Sequence, residues 1–158
     1  KMGAYDYAEE FYLRSLERYP LHSNCCFAYA DFLCYQRKNF DDADHFYRQA
    51  VDMDDANFAA CNNYAVFLVT VRCDYTRAQQ FFSRAVAGAP DSALFASNYA
   101  AYLFHIQRNT AEADRYAARA RALRASAAAS AASKRDSGSA TSKQLASLGC
   151  FCGLPPYS

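Results

Sequence analysis

Apolar and polar positions along the chain repeat on two length scales. Over short distances, apolar residues fall three and four positions apart, the spacing of an amphipathic helix. Over long distances, the same pattern returns every 35 residues. The repeating positions include an alanine, a tyrosine and a leucine, namely Ala8, Ala43, Ala78 and Ala113, then Tyr29, Tyr64 and Tyr99, then Leu33, Leu68 and Leu103. The pattern therefore predicts a tandem array of units that each contain two helices.

The apolar periodicity and its interruptions predict where each helix begins and ends. In three successive turns an asparagine or aspartate stands where the N-cap of the next helix is expected, at Asn39, Asp74 and Asn109. Pro20 and Pro90 stop the preceding helices. The sequence predicts seven helices, over about 5–18, 22–36, 40–53, 57–71, 75–88, 92–106 and 110–133.

Composition narrows the class of protein. The 158 residues are 53% hydrophobic and 21% charged, which is typical of a soluble folded chain near the size of one domain. With only 5 Gly and 4 Pro, the tight turns of an all-β sandwich are not expected. The 7 cysteines are odd in number, and no CxxC pair has the spacing of a zinc site, so we expect small core residues in a reducing compartment. These features predict a cytoplasmic protein without metal or other cofactor.

The repeated positions resemble the tetratricopeptide repeat (TPR) family. In the middle unit, the first-helix places of the family's pattern are taken by Cys61, Tyr64, Ala65 and Leu68, and the second-helix places by Ala78, Phe82, Ala85 and Pro90. The resemblance extends over about residues 4 to 125. The chain departs from the pattern where alanine replaces the usual glycine and cysteine or alanine replaces tryptophan. One extra residue between the helices also lengthens the period.

The resemblance implies an all-α, TPR-type right-handed superhelix, a solenoid of helical hairpins. The predicted division has the second helix of a truncated repeat in 1–20, repeats in 21–55, 56–90 and 91–125, an extended last helix in 126–135 and a flexible tail in 136–158. Because no first helix precedes Tyr5, we expect a fragment that further repeats flank in the full-length chain. An exposed apolar side of the first helix, around Phe11, is expected for the same reason.

In the family, the first helix of each pair lines a concave groove that holds a peptide or a partner helix. Members that grip the acidic tails of heat-shock chaperones do so with a clamp of Lys, Arg and Asn. Here Phe27 and Leu94 replace the lysines, Asp31 replaces an asparagine and Asn98 replaces an arginine, while Asn63 alone agrees. We therefore expect a nearly neutral groove that does not bind such tails.

Two asparagines stand one repeat apart in the predicted groove, Asn63 and Asn98. An amide can donate to one backbone carbonyl and accept from one backbone N–H, so such a ladder grips an extended peptide without reading its sequence. The alternative is that these are surface residues or bonds to neighbouring helices. The residues expected to flank the ladder are Asn62, Val66, Phe27, Asp31, Tyr35, Ala101 and His105.

Charge is distributed unevenly along the chain. Six aspartates between Asp41 and Asp55 accompany the single Arg48, whereas the last helix is basic. A patch of Arg115, Arg119 and Arg124 is a candidate surface for RNA or an acidic partner, but a solvated outer face of a terminal helix is the preferred interpretation. The tail cysteines Cys150 and Cys152 lack the further ligands that a metal would need.

No catalytic motif is found, and the three histidines are scattered over different predicted helices. We therefore predict a non-catalytic protein-interaction module, a scaffold or adaptor that binds a protein or peptide partner, with no membrane and no nucleic acid involved. The alternatives are a structural or RNA-associated scaffold that uses the basic last helix, or the repeat portion of a larger enzyme.

Overall fold

The computed structural model of the chain describes residues 3–136, with side chains as far as residue 131. The chain divides between Ala89 and Pro90 into two compact units. The predicted tail from 137 onward, with Cys150 and Cys152, lies outside the described residues.

The first unit contains five helices. They are α1 (Ala4–Arg18), α2 (Ser23–Phe32), α3 (Phe40–Met53), α4 (Phe58–Phe67) and α5 (Tyr75–Gly88). The second unit contains α6 (Ala93–His105) and α7 (Thr110–Asp136). Helices pack as neighbours in the hairpins α2 with α3, α4 with α5, and α6 with α7. Residues 3–136 contain no strand, and all seven predicted helices are present to within about two residues at most ends.

Two of the predicted helices do not continue as α-helix to their ends. Over Leu33–Arg37 and Leu68–Arg72 the backbone winds as π-helix. The Leu33 carbonyl then accepts from the N–H groups of both Lys38 and Asn39, the latter at 3.0 Å. The Leu68 carbonyl is used in the same way. Since a π turn holds one more residue than an α turn, in these two repeats it accommodates the residue by which the repeat exceeds the family's usual length.

Both π-helical turns, and the turn after α6, end on a residue in the left-handed region. The φ angles are 56° at Lys38, 55° at Cys73 and 57° at Arg108. A side chain costs about 1–2 kcal/mol in this conformation, which glycine adopts freely. All three positions precede an N-cap residue, so the left-handed residue turns the chain directly into the next helix.

We expect Cys73→Gly to raise the free energy of unfolding by up to about 1 kcal/mol, because relief of the left-handed strain exceeds the backbone entropy of glycine. Urea denaturation measures the change. Gln80→Gly, in the exposed interior of α5, serves as the control and should lose about 1 kcal/mol. A Cys73→Gly variant that is destabilised as much as Gln80→Gly would show that the turn carries no such strain.

Alanine and aromatic side chains fill the core at the repeat positions. Ala43 and Ala78 are fully buried where second helices meet their neighbours. A phenylalanine of each second helix in the first unit packs on the tyrosine of its own hairpin, with ring centroids 4.8 Å apart for Phe46 and Tyr29 and 4.9 Å for Phe81 and Tyr64. Phe11, at the corresponding position of α1, is 71% exposed. The repeat thus fixes an aromatic pair in each complete hairpin of this unit.

The predicted helix caps are confirmed. The side-chain oxygens of Asn39, Asp74 and Asn109 accept from backbone N–H groups three residues ahead, at 3.3, 3.1 and 3.2 Å. Each bond satisfies one of the N–H groups that a helix N-terminus leaves without an intrahelical partner. The cap and the preceding wide turn together determine the angle at which each second helix starts.

Candidate functional site

The first helices of the two hairpins in the first unit, α2 and α4, are joined at their N-terminal ends by a buried polar link. The amide nitrogen of Asn57 donates to Ser23 Oγ at 2.7 Å and to Asn24 Oδ1 at 2.8 Å. Ser23 Oγ donates in turn to the carbonyl of Ala50 at 2.8 Å. Asn57 also caps α4 by accepting from the N–H of Ala60 at 3.0 Å. Because one side chain does both, the start of α4 is held against α2.

A second polar link joins the same helices near their middles. The amide nitrogen of Asn63 lies 3.1 Å and 3.4 Å from the two carboxylate oxygens of Asp31. The phenol of Tyr47, on α3, donates to the same carboxylate. The amide of Asn62 donates to Asn63 Oδ1 at 3.0 Å. Asp31 is therefore the acceptor at which α2, α3 and α4 meet, and we call Asp31, Tyr47, Asn62 and Asn63 the Asp31 cluster.

The structure places the predicted groove residues at different depths. In the first unit, Tyr35 is 45% exposed, and Phe27, Asp31 and Asn63 are half-buried. Asn62 and Val66 are buried, at 1% and 5% exposure, so neither offers surface to a ligand in this structure. Four of the predicted residues of this unit thus reach the surface of α2 and α4, in which we include the π-helical turn that continues α2: Phe27, Asp31, Tyr35 and Asn63.

The remaining predicted residues lie on α6 in the second unit. Asn98 is buried at 9% exposure, and Ala101 and His105 are half-buried. His105 Nε2 is buried without a hydrogen-bond partner. The asparagine ladder of Asn63 and Asn98 stays a prediction. Asn63 makes the kind of bond to a neighbouring helix that the alternative interpretation describes.

Burial governs the protonation of the Asp31 cluster. Desolvation raises the pKa of the Asp31 carboxyl, and the hydrogen bonds from Tyr47 and Asn63 only partly offset it. Desolvation also raises the pKa of the Tyr47 phenol, and the negative charge of Asp31 adds to that effect. The Tyr47 phenol therefore stays protonated at neutral pH and donates its hydrogen bond to the Asp31 carboxylate.

The raised pKa of Asp31 predicts a specific pH dependence. Between the ordinary value of 3.8 and the raised value, the folded state holds the proton more tightly than the unfolded state, so this group's contribution to stability falls as pH rises. The free energy of unfolding of wild type minus that of Asp31→Asn should therefore decrease as pH rises above about 4. Urea titrations from pH 3 to pH 7 measure this difference.

Asp6→Asn is the matched comparison with the opposite sign. The hydrogen bond from Arg37, and then that from the Gly3 N–H, lower the pKa of Asp6 below 3.8. The Asp6 carboxylate therefore stabilises the folded state fully above pH 3.8, and this stabilisation is lost as pH falls through the lowered pKa of Asp6. Parallel profiles for the two variants would contradict the assignment of Asp31 as a desolvated carboxylate.

Arginines at the ends of the two π-helical turns form a repeated ion cluster on another part of the first unit. Arg37 pairs with Asp6 at 2.6 Å and also with Glu9. One repeat later, Arg72 pairs with Asp41 at 2.7 Å and approaches Asp44 at 3.9 Å. These ion pairs join each helix to the second helix of the preceding repeat.

Ion pairs from other repeats change the charge expected for the segment from Asp41 to Asp55, in which Arg48 is the only basic residue. Arg72 neutralises Asp41, and Arg84 pairs with Asp55 at 2.8 Å while donating to the carbonyls of Val51 and Asp55. Both arginines lie about 30 residues away in sequence from their partners. The acidic segment is therefore a partly neutralised surface that helps to join the repeats.

In the second unit, two of the three candidate basic-patch residues have structural contacts. Arg119 donates to the carbonyl of Pro90, and Arg124 donates to Ser97 Oγ at 2.6 Å. Arg115 is exposed. Both acceptors are neutral, so the two arginines keep their positive charge, but each already uses hydrogen-bonding capacity within the second unit.

The described cysteines, the possible metal ligands and the apolar character of the helices were each compared with the sequence-based expectations. Of the described cysteines, Cys26, Cys34 and Cys61 are buried as expected, Cys25 is half-buried and Cys73 is exposed, all with free thiols. Residues 3–131 contain no group of three His, Cys, Asp or Glu side chains placed to hold a metal ion. Within residues 3–136, no helix has the length and apolar character required to cross a bilayer.

Comparison with known proteins gives a structural likeness alone. Neither a family model nor a curated protein matches the sequence. A solved structure described as MamA MSR-1 C2 matches with a TM-score of 0.62 and 18% sequence identity, over 79% of this chain and 70% of that chain. MamA is a TPR-containing protein. Together with the helical hairpins and the 35-residue recurrence of their contacts, this likeness confirms the predicted fold class: the chain has an all-α, TPR-type helical repeat fold.

Proposed function

We propose that the chain is a non-catalytic protein-interaction module that binds a peptide or a helix of a partner protein on the surface of α2 and α4. The observation that carries the proposal is the composition of this surface. It combines the aromatic side chains Phe27 and Tyr35 with the polar groups of Asp31 and Asn63. Aromatic side chains supply apolar contact area, and amides and carboxylates supply hydrogen bonds to an extended backbone.

Three arginines of the first unit are committed to contacts between its own helices, which supports the proposal. Arg37, Arg72 and Arg84 are paired with carboxylates of neighbouring helices. The surface of α2 and α4 is instead mostly neutral, and α4 carries no charged residue. Such a surface favours an extended peptide or an amphipathic helix over a polyanion. It also supports the expectation that acidic chaperone tails are not ligands.

On the second unit, α6 carries Asn98, Ala101 and His105 at the predicted groove positions. We propose these residues as a candidate binding surface of the second unit by itself.

Selection from a displayed library of random 12-residue peptides, followed by calorimetry on the synthetic peptides, tests the proposal. Replacing Asn63 by alanine should weaken a selected peptide about 5-fold or more, as expected for the loss of one or two hydrogen bonds. Gln80→Ala, on the exposed face of α5, is the control and should leave the affinity unchanged. Thermal melts of both variants confirm folding. Failure to select any peptide, or equal affinity for wild type and Asn63→Ala, would contradict the proposed surface.

A further inference from the structure

Asp31 differs from the other half-buried carboxylates of the first unit. Asp6, Glu9, Asp44 and Asp74 each pair with an arginine at distances from 2.5 to 3.1 Å. Asp31 receives hydrogen bonds from Tyr47 and Asn63, both neutral donors. Among the described side chains of residues 3–89, no lysine, arginine or histidine lies within ion-pair distance of it.

The carboxylate of Asp31 retains capacity for a further donor. Two carboxylate oxygens offer about four acceptor positions, and only two side chains donate to them here. A partly desolvated carboxylate without a counter-ion is costly, and a ligand cation that reaches it recovers part of that cost. Because the residue is half-buried rather than buried, part of it remains accessible to a ligand from solvent.

Aromatic side chains flank Asp31 along the same helix. Phe27 lies four residues before it on α2, and Tyr35 lies four residues after it in the π-helical turn that continues α2. A spacing of four residues is close to one full turn in either winding, so the three side chains lie on the same side. Tyr35 is 45% exposed and lies close enough to Tyr47 to contribute to the raised pKa of that phenol. The faces of aromatic rings attract ammonium and guanidinium groups, most strongly where water is partly excluded. The aromatic side chains and the carboxylate therefore favour the same kind of ligand group.

We propose that Phe27, Asp31 and Tyr35 form a site for the side-chain cation of a lysine or arginine in the bound peptide. The proposal rests on the proposed function, since it names the chemistry of the peptide that the surface of α2 and α4 binds. The cation pairs with the Asp31 carboxylate, while its aliphatic stem lies against the aromatic side chains. This preference is the opposite of that of a groove lined with lysines, which selects carboxylates.

The test compares peptides and variants in a double-mutant cycle. Peptides selected on the wild-type chain should share a lysine or arginine at one position. Changing that residue to glutamine should weaken binding to the wild type about 10-fold, but to Asp31→Asn less than 2-fold. Asp52→Asn, which removes an exposed carboxylate of α3, is the matched control and should behave as the wild type.

The outcomes distinguish failure of the cation site from failure of the proposed peptide-binding function. Selected peptides without a shared basic residue, or an equal loss on wild type and Asp31→Asn, would overturn the cation site while leaving peptide binding intact. Absence of any selected peptide would overturn both. If Asp31→Asn fails to melt cooperatively, Tyr35→Ala at its exposed position replaces it. That variant should then reduce the lysine or arginine preference about 3-fold, and an unchanged preference would overturn the site.

Discussion

We expect Phe67→Ala to lower the free energy of unfolding by about 3–5 kcal/mol, the usual range for removing a fully buried phenylalanine. Phe67 is 1% exposed, and its ring centroid lies 5.2 Å from that of Tyr47 and 6.3 Å from that of Tyr64. The substitution therefore leaves a cavity where α3 meets α4, which neighbouring rings cannot fill without leaving their own contacts. Urea denaturation followed by circular dichroism measures the loss.

Phe11→Ala is the matched control for this prediction. Phe11 is 71% exposed on α1, so the same chemical change should alter the free energy of unfolding by no more than about 0.5 kcal/mol. Similar losses for the two variants would mean that the aromatic core between the hairpins is not where the structure places it.

Asn57→Ala should cost about 2–3 kcal/mol. The substitution removes the cap of α4, worth about 1 kcal/mol, together with the two side-chain bonds to Ser23 and Asn24, each worth about 0.5–1.5 kcal/mol. Since Asn57 is 8% exposed, water does not readily replace the lost bonds.

Ser92→Ala is the matched control, since Ser92 occupies the same position one repeat later. Its hydroxyl caps α6 by accepting from the Phe95 N–H at 3.3 Å. The same urea titrations should show a loss of about 1 kcal/mol, that of the cap alone. A loss as large as that of Asn57→Ala would show that the buried link between α2 and α4 adds nothing to the cap.

The sequence predicts helix positions well because the signals are local or repeated. The N-caps at Asn39, Asp74 and Asn109 follow from residue type and from their regular spacing, and all are confirmed. The cap at Asn57 carries the same kind of signal, since Ser92 stands 35 residues later, yet the predicted helix over 57–71 begins on Asn57 instead of after it. A search for polar residues repeated at the starts of the first helices would have found it.

The π-helical turns were not predictable from apolar periodicity. The carbonyls of Leu33 and Leu68 accept from N–H groups five and six residues ahead. Over one short turn, the pattern of apolar side chains is the same for an α-helix and a π-helix. The extra residue of each repeat was visible, but its location at the end of a helix, rather than in the loop, depends on how the helices pack.

The polar contacts of the candidate site depend on distances between helices that sequence does not provide. Asn63 and Asp31 are 32 residues apart, and Arg72 and Asp41 are 31 apart. Whether such side chains meet depends on the rotation of each helix about its own axis, which a one-residue change in a turn alters by about 100°. The aspartates between residues 41 and 55 consequently gave the impression of an acidic surface, although Arg72 and Arg84 neutralise part of it.

Chemical-shift mapping of a selected peptide on the isotopically labelled chain tests the central claim most directly. The claim predicts that the largest backbone shift changes fall on α2 and α4, around Phe27, Asp31 and Asn63, while α3 and its outward residues change little. Saturating peptide that shifts mainly α3, or the exposed side of α1 around Phe11, would contradict it.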